Sequence, residues 1–168
     1  MGISFEKYVA TQLKPDLAAQ DKPSVLLLTC MDYRYAQRII DAMDREELRR
    51  GYDIFVLAGA AAGANKFPLW RKALVEHIEI ARKIDHPIDR LIILEHRDCG
   101  AYKLLFGLEW DKVTPLEEEA SHKKQVKRLI AKLAREIPNL RIDSWLLARD
   151  EDDLLYLEKP DPKNSRTT

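Results

Sequence analysis

Residues 91–100 read LIILEHRDCG, an apolar run that ends in a histidine and a cysteine three positions apart, with a glycine directly after them. The other cysteine, Cys30, follows a similar run over residues 25–29. Continuous apolar runs of this length are typical of strands buried on both faces of a parallel sheet. Because neighbouring parallel strands end at the same edge of a sheet, we expect Cys30, His96 and Cys99 to lie close together.

Strands and helices are predicted to alternate along the chain. Apolar patterning indicates strands over residues 25–29, 53–58, 91–94, 140–148 and 154–157, and helices over 4–19 (one or two short ones), 35–50, 68–84 and 115–136. The last helix begins with Thr114-Pro115-Leu116-Glu117, which has the pattern of a capping box. This alternation predicts an α/β fold, a mostly parallel sheet of four to five strands with helices on both faces.

The predicted organisation is one domain over residues 1–168. Its first part, about residues 1–20, is expected to form a helical arm, and about residues 159–168, which are polar and hold two prolines, a loose tail. No segment reaches the ~20 apolar residues of a membrane-spanning helix, and the first residues lack the pattern of a signal peptide. Two cysteines are too few for a disulfide framework. A cytoplasmic protein with reduced thiols is therefore expected.

Charge composition argues against two classes of partner. Lys plus Arg and Asp plus Glu each number 28, which gives a formal net charge of zero. A balanced chain has no electrostatic feature that favours nucleic acid or an anionic membrane surface. We therefore expect neither as a partner.

The two cysteines and His96 form a set of residues suited to a transition metal. Zn²⁺ prefers four ligands, and a catalytic site commonly takes three of them from the protein. Cys30, His96 and Cys99 would supply a Cys₂His set. Two alternatives remain open: both cysteines could be small buried hydrophobic residues, or they could form a redox dithiol, which the lack of a C-x-x-C motif disfavours.

Asp32 and Arg34 follow Cys30 at intervals of two residues. In an extended segment these three side chains would share one face. An adjacent arginine keeps an aspartate ionised and can bind it through two hydrogen bonds. The pair is either part of the site or an ordinary surface ion pair.

The remaining histidines and the glycine-containing loop are weaker candidates. His77 lies on the apolar stripe of its helix, which is typical of a core histidine, and His86 and His122 are expected to be exposed. The loop at residues 59–65, GAAAGAN, matches neither the dinucleotide-binding pattern nor the P-loop. We interpret it as a close-packed turn near the site.

Two motifs together resemble those of the β-class carbonic anhydrases. The family pattern is Cys-x-Asp-x-Arg after the first strand and His-x-x-Cys-Gly after the third. Here these stand as Cys30-Met31-Asp32-Tyr33-Arg34 and His96-Arg97-Asp98-Cys99-Gly100. Both motifs, their order and their separation match over about residues 24–148, and the length suits the shorter, prokaryotic-type members.

The resemblance implies a zinc enzyme that reversibly hydrates carbon dioxide to bicarbonate and a proton, a lyase. It implies one Zn²⁺ per chain held by Cys30, His96 and Cys99, with Asp32 and Arg34 as the catalytic dyad. It also implies a homodimer or higher homo-oligomer. CO₂ and bicarbonate would be the small-molecule substrates.

One loop departs from the family. The family commonly carries Arg-Asn-Ala-Gly-Asn after the second strand, where residues 57–61 of this chain are LAGAA. Relative to the family pattern, this loop loses polar side chains near the site but no metal ligand. Two alternatives to CO₂ hydration follow from this departure: hydrolysis of a related linear substrate, COS or CS₂, on the same zinc site, or a zinc-binding protein of this fold without catalysis.

Overall fold

The structure, a computed structural model, describes residues 5–14, 22–45 and 51–147 and the backbone of residues 154–158. Its elements in chain order are α1 (Phe5–Tyr8), a π-helical turn (Val9–Leu13), β1 (Val25–Cys30), α2 (Tyr33–Arg45), β2 (Tyr52–Leu57), α3 (Ala61–Lys66), α4 (Pro68–Lys83), β3 (Arg90–His96), α5 (Gly100–Phe106), α6 (Pro115–Glu136), β4 (Arg141–Leu147) and β5 (Leu154–Glu158). The predicted tail, residues 159–168, lies outside the described residues.

The strands form one five-stranded sheet in the order β2-β1-β3-β4-β5. The first four strands are parallel, and β5 runs antiparallel to β4. The predicted α/β class, a mostly parallel sheet of four to five strands, is therefore confirmed. β1 and β3 are neighbours in this order, so their carboxyl ends lie side by side.

Both faces of the two central strands are covered, as their uninterrupted apolar runs predict. Leu26, Leu28, Leu91 and Ile93 pack with residues of α4 and α6 on one face. Their neighbours in sequence, which include Leu27 and Ile92, pack with α1 and α2 on the other. Full burial of each such side chain contributes about 1.5–3 kcal/mol. These contacts hold the two strand ends that carry the cysteines and His96.

The helix predicted over 68–84 matches α4, but only part of its apolar stripe is buried. Leu74, Ile78 and Ala81 are in the core, whereas Ile84 is 61% exposed. Two helices were missed. The segment interpreted as a turn continues into α3, whose alanines and glycine lack the contrast that periodicity needs, and α5 spans only seven residues. No helix among the described residues is long and apolar enough to cross a membrane.

Candidate metal centre

Three side chains converge at the carboxyl edge of the sheet. Cys30 ends β1, His96 ends β3, and Cys99 directly precedes α5. One sulfur or nitrogen atom from each residue lies within 4.8 Å of the others, and the two Sγ atoms are 3.8 Å apart. All three residues are buried. The structure thus brings together every residue of the predicted Cys₂His set, in a group that could hold a metal ion.

The ring of His96 is oriented with one nitrogen free. Its Nδ1 lies 2.8 Å from the carbonyl oxygen of Arg97, which can only accept, so Nδ1 carries the proton. Nε2 is therefore the atom with the lone pair, and within the described residues it is buried without a hydrogen-bond partner. A backbone carbonyl bound to the distal nitrogen is typical of a metal-ligating histidine. An unpaired buried nitrogen beside two thiols fits a metal ion.

The ring of Tyr35, in α2, packs against the imidazole ring of His96. The centroids of the Tyr35 and His96 rings are 4.4 Å apart. The tyrosine hydroxyl donates to the Arg97 carbonyl oxygen at 3.4 Å, the same acceptor that binds His96. Tyr35 therefore belongs to the core that backs the histidine.

The pKa values of the two thiols are shifted in opposite directions. The hydrogen bond from Cys99 lowers the pKa of Cys30 despite its burial, with help from His96 and the Gly59 N–H. The pKa of Cys99 is raised, because its proton is held by Cys30 and because the thiol is buried. Burial lowers the pKa of His96, but the nearby Cys30 sulfur, the Arg97 carbonyl oxygen and Asp32 together raise it above its usual value. The pair therefore favours one thiolate and one thiol, and a cation would displace the shared proton.

Asp32 and Arg34 form a two-pronged ion pair that faces this group. Arg34 Nε donates to Asp32 Oδ1 at 2.9 Å, and Nη2 to Oδ2 at 2.6 Å. These bonds lower the pKa of Asp32 to about 2, against the effect of burial. Asp32 Oδ2 is 3.7 Å from His96 Nε2. The pair lies at the site, not elsewhere on the surface.

The path from Cys30 to Arg34 differs from the expected extended segment. α2 begins at Tyr33, so Arg34 is already helical, and Asp32 Oδ1 accepts the Arg34 backbone N–H at 3.1 Å. This is the bond that a helix-capping aspartate makes. Arg34 Nη2 also donates to the Asp98 carbonyl oxygen at 3.2 Å, which ties the first motif to the second. The carboxylate of Asp32 is therefore oriented towards the site by helix capping and not by strand alternation.

The loop after β2 approaches the site through its backbone. Gly59 has a φ of 70°, and its N–H donates to Cys30 Sγ at 3.2 Å. A Cβ atom at this position would lie 2.9 Å from the Cβ of Ala101. Glycine is therefore required both for the backbone conformation and for the close contact with α5. The expected close-packed turn is present, and the backbone of Gly59 supplies its hydrogen bond to the sulfur.

His122 was predicted to be exposed, and this was wrong. Its side chain is fully buried, with Nδ1 3.1 Å from Oε2 of the fully buried Glu95 and its ring 3.9 Å from that of Tyr102. Glu95 precedes His96 in β3, and its Oε1 accepts the Ala61 N–H at 2.9 Å. His122 lies at helical spacing from Val126, Leu129 and Leu133, so continuing the apolar stripe towards the start of α6 would have predicted its burial.

Glu118 is the other residue near the site that the sequence reasoning missed. Its Oε1 accepts the Asp98 N–H at 2.6 Å, and its Oε2 accepts from Arg97 Nη1 at 2.8 Å. Asp98 has a φ of 54°, a conformation that is uncommon for residues other than glycine. Glu118 therefore holds the tight turn that separates His96 from Cys99.

The two other histidines lie away from this group. His77 is half-buried, not a core residue, and its ring contacts that of Phe55 at 5.1 Å. His86, predicted to be exposed, is half-buried, with Nδ1 2.8 Å from Asp53 Oδ2. Asp53 lies at the start of β2, at the opposite end of the sheet from the candidate ligands.

No family model matches this chain. An uncharacterised protein of Rickettsia conorii is 28% identical over 151 residues, covering 88% of this chain and 80% of that protein. An uncharacterised protein of Rickettsia bellii is 29% identical over 140 residues, covering 82% and 84%.

Solved structures of β-carbonic anhydrases share the fold. The Coccomyxa enzyme in complex with acetazolamide has a TM-score of 0.55 at 14% identity, covering 93% of this chain and 82% of its own. The Aspergillus fumigatus enzyme has a TM-score of 0.53 at 17% identity, covering 95% and 88%. A tetrameric enzyme of Sordaria macrospora has a TM-score of 0.52 at 16% identity, covering 88% and 86%. The chain therefore has a divergent β-carbonic-anhydrase-like fold, and the resemblance inferred from its motifs is confirmed for the fold.

Proposed function

We propose that this protein is a zinc-dependent carbonic anhydrase. The observation that carries the proposal is the position of the Asp32–Arg34 pair, with a carboxylate oxygen 3.7 Å from the unpartnered Nε2 of His96 and two cysteine sulfurs alongside. A structural metal site is usually closed by four protein ligands, whereas this one has three and an ionised carboxylate beside them.

Cys30, His96 and Cys99 would hold the metal. Their sulfur and imidazole donors suit Zn²⁺, and three protein ligands leave one position for water or substrate. When bound, zinc lowers the pKa of a coordinated water towards neutrality, which provides a nucleophile at physiological pH. The Gly59 N–H donates to Cys30 Sγ and keeps that sulfur oriented towards the group.

Asp32 would orient the nucleophile. Because its pKa is lowered to about 2, the carboxylate is ionised at any physiological pH and can only accept hydrogen bonds. Oδ2 can hold the hydrogen of an attacking oxygen, which leaves that oxygen's lone pair directed at the carbon of CO₂. Arg34 fixes the carboxylate by two bonds, so little freedom is lost when the substrate arrives.

Arg34 would also provide charge. With the metal bound, the thiolates of Cys30 and Cys99 would carry two negative charges, which balance the two positive charges of a divalent cation. The guanidinium is then the positive group that can attract bicarbonate in the reverse reaction.

An apolar pocket adjoins Cys30. It has a volume of about 160 Å³ and is lined by residues of β1, α2 and β2, which include Ile39 and Val56, and by Met31 between β1 and α2. A small, linear, apolar molecule suits such walls. COS and CS₂ have the same shape and charge as CO₂, so hydrolysis of either is the second candidate function.

Stopped-flow measurement of CO₂ hydration by the zinc-loaded protein tests the proposal. Hydration well above the buffer rate is expected for the wild type, and the same assay with COS and CS₂ separates the two substrate classes. Stoichiometric zinc together with background rates for all three substrates would indicate a zinc-binding protein without catalysis. The matched control is Gln125→Met, which changes a buried residue of α6 that contacts α3.

We also propose that a second copy of this chain covers the outer side of β2. β2 lies at the edge of the sheet, and Ile54 and Val56 are 38% and 51% exposed. Ile40 of α2 and Met31 extend the apolar surface. A bare apolar edge strand favours pairing with another chain. Sedimentation equilibrium should give a dimer or higher oligomer, and Val56→Lys should shift it towards the monomer.

The state of the cysteines supports a cytoplasmic location. Both are free thiols, and their 3.8 Å separation exceeds the ~2.05 Å of a disulfide. In the cytoplasm, thiols such as these stay reduced and available as metal ligands.

A further inference from the structure

One face of α6 carries polar side chains into the core. Glu118, His122 and Gln125 are 6%, 0% and 4% exposed, and their spacing places them on the same side of the helix. Burying a polar group without a hydrogen bond costs roughly 1–3 kcal/mol. The partners of these side chains therefore indicate what this face of α6 stabilises.

Glu118 binds the turn between two candidate ligands. Its carboxylate accepts the Asp98 N–H at 2.6 Å and the Arg97 guanidinium at 2.8 Å. The turn must reverse direction within two residues so that His96 and Cys99 face the same point, and Asp98 adopts a positive φ to do so. Glu118 stabilises both residues of that reversal.

His122 is connected to Cys30, the third candidate ligand, through Glu95 and the loop after β2. Its Nδ1 bonds Glu95, whose other carboxylate oxygen accepts the Ala61 N–H at 2.9 Å. Ala61 lies two residues beyond Gly59, whose N–H donates to Cys30 Sγ at 3.2 Å. The loop from Gly59 to Ala61 has no polar side chain of its own. The Glu95–His122 pair therefore fixes its position through the hydrogen bond to the Ala61 N–H.

We propose that Glu118 and His122 are positioning residues for the Cys30–His96–Cys99 site, although α6 contributes no ligand to it. This inference rests on the metal site proposed above. Residues that orient metal ligands alter affinity and ligand geometry when replaced, whereas residues that only fill the core alter stability. The two roles can be separated by experiment.

For His122 the chain allows a pair of matched variants. His122→Asn keeps an N–H close to the position of Nδ1, where it can still donate to Glu95. His122→Gln carries its amide at the position of Nε2, which has no hydrogen-bond partner among the described residues. Both variants bury one amide, so a difference between them reports the bond to Glu95.

Glu118→Gln tests the other contact. The amide oxygen can still accept the Asp98 N–H, but the charge that binds Arg97 is lost. Gln125→Met, on the same face of α6, is the control. Within the described part of the chain, the Gln125 side chain accepts from Asn65 at 3.3 Å, and the Gln125 carbonyl oxygen, which accepts from the same amide at 2.7 Å, remains in the variant.

The readouts are the Zn²⁺ dissociation constant, measured by competition with a chromophoric chelator, and the absorption spectrum of the Co²⁺-loaded protein. We expect His122→Gln and Glu118→Gln to weaken binding about 10-fold or more and to change the thiolate and d–d bands. His122→Asn and Gln125→Met should retain the wild-type affinity and spectrum. Circular dichroism of each metal-free variant establishes that it is folded.

A wild type that takes up neither metal would contradict the proposed function, and the inference with it. A wild type that binds both metals, with His122→Gln and Glu118→Gln matching it in affinity and spectrum, would overturn the inference alone. If His122→Gln proves unfolded, Glu118→Gln decides by the same criteria, since it keeps an acceptor for the Asp98 N–H.

Discussion

The two ends of the sheet each hold a cluster of buried polar groups, and the two clusters differ in how their members are paired. At the amino end, Arg90 Nε donates to Asp143 Oδ2 at 2.6 Å, and Tyr8 of α1 bridges both residues. At the carboxyl end, His96 Nε2 is unpartnered and two thiols share a proton. A buried ion pair is costly to break but leaves no bond open for a ligand, whereas an unpartnered buried nitrogen beside two thiols does leave one open. The carboxyl end is therefore where the candidate site lies.

The largest effect is expected from removing a sulfur at the carboxyl end. Cys99→Ser replaces a soft donor with a weak one, so we expect zinc content to fall from about one per chain to near zero after dialysis against a chelator. CO₂ hydration should fall to the buffer rate. Metal analysis of wild type and variant in parallel measures the effect, and equal zinc content would contradict the assignment of the ligands.

Asp32→Asn should separate chemistry from metal binding. The amide is nearly isosteric but neutral, so it cannot accept hydrogen bonds at both atoms or pair with Arg34 as a charge. We expect zinc content to match the wild type and kcat/KM for CO₂ hydration to fall about 10²–10⁴-fold. Undiminished turnover would exclude Asp32 from the mechanism.

Arg90→Met, at the amino end, should lower the stability of the fold and leave metal binding unchanged. It leaves Asp143, which is 2% exposed, without its arginine. Breaking a buried ion pair in this way costs about 3–5 kcal/mol in the free energy of unfolding. Urea denaturation should show this loss, the double variant Arg90→Met/Asp143→Leu should recover much of it, and zinc affinity of the folded protein should not change. A loss of zinc affinity would mean that the two ends are coupled.

The smallest effect is expected in acid. Arg34 lowers the pKa of Asp32 from 3.8 to about 2 in the folded chain. Because the folded-state pKa is the lower one, the pair's contribution to stability is complete above pH ~4 and is lost as the pH falls towards ~2. We expect a loss of about 1 kcal/mol across this range, since the pair is partly exposed. Thermal unfolding of the metal-free wild type should show a steeper decline over pH 4 to 2 than that of Asp32→Asn.

Local patterns were sufficient to predict most of the sheet and the grouping of the three candidate ligands. The apolar runs at 25–29 and 91–94 are uninterrupted because both faces of β1 and β3 are covered. Capping at Thr114 is equally local, and the structure contains the predicted capping box. α3 was missed because Ala61–Lys66 is helical without an amphipathic pattern. Its burial against neighbouring helices, not its periodicity, stabilises it.

The misplacement of His122 has a different cause. A histidine among charged residues at a helix start is normally solvated, and Lys123 and Lys124 are indeed exposed. Its burial depends on Glu95, 27 residues earlier in the chain. A carboxylate inside an apolar strand requires a buried partner, but nothing local identifies which residue that is.

The amino-acid sequence by itself determined the types of donor and their meeting point. Two apolar strands that end in Cys30 and His96, joined by crossovers that make them parallel, bring those residues to one edge of the sheet. Only the tertiary structure decided how the group is held: by Glu118 and His122 of α6, by the Gly59 N–H, and by an aspartate aimed through helix capping. Each of these bonds except the last joins residues distant in sequence, and hydrogen-bond partners across such distances are chosen by packing rather than by local pattern.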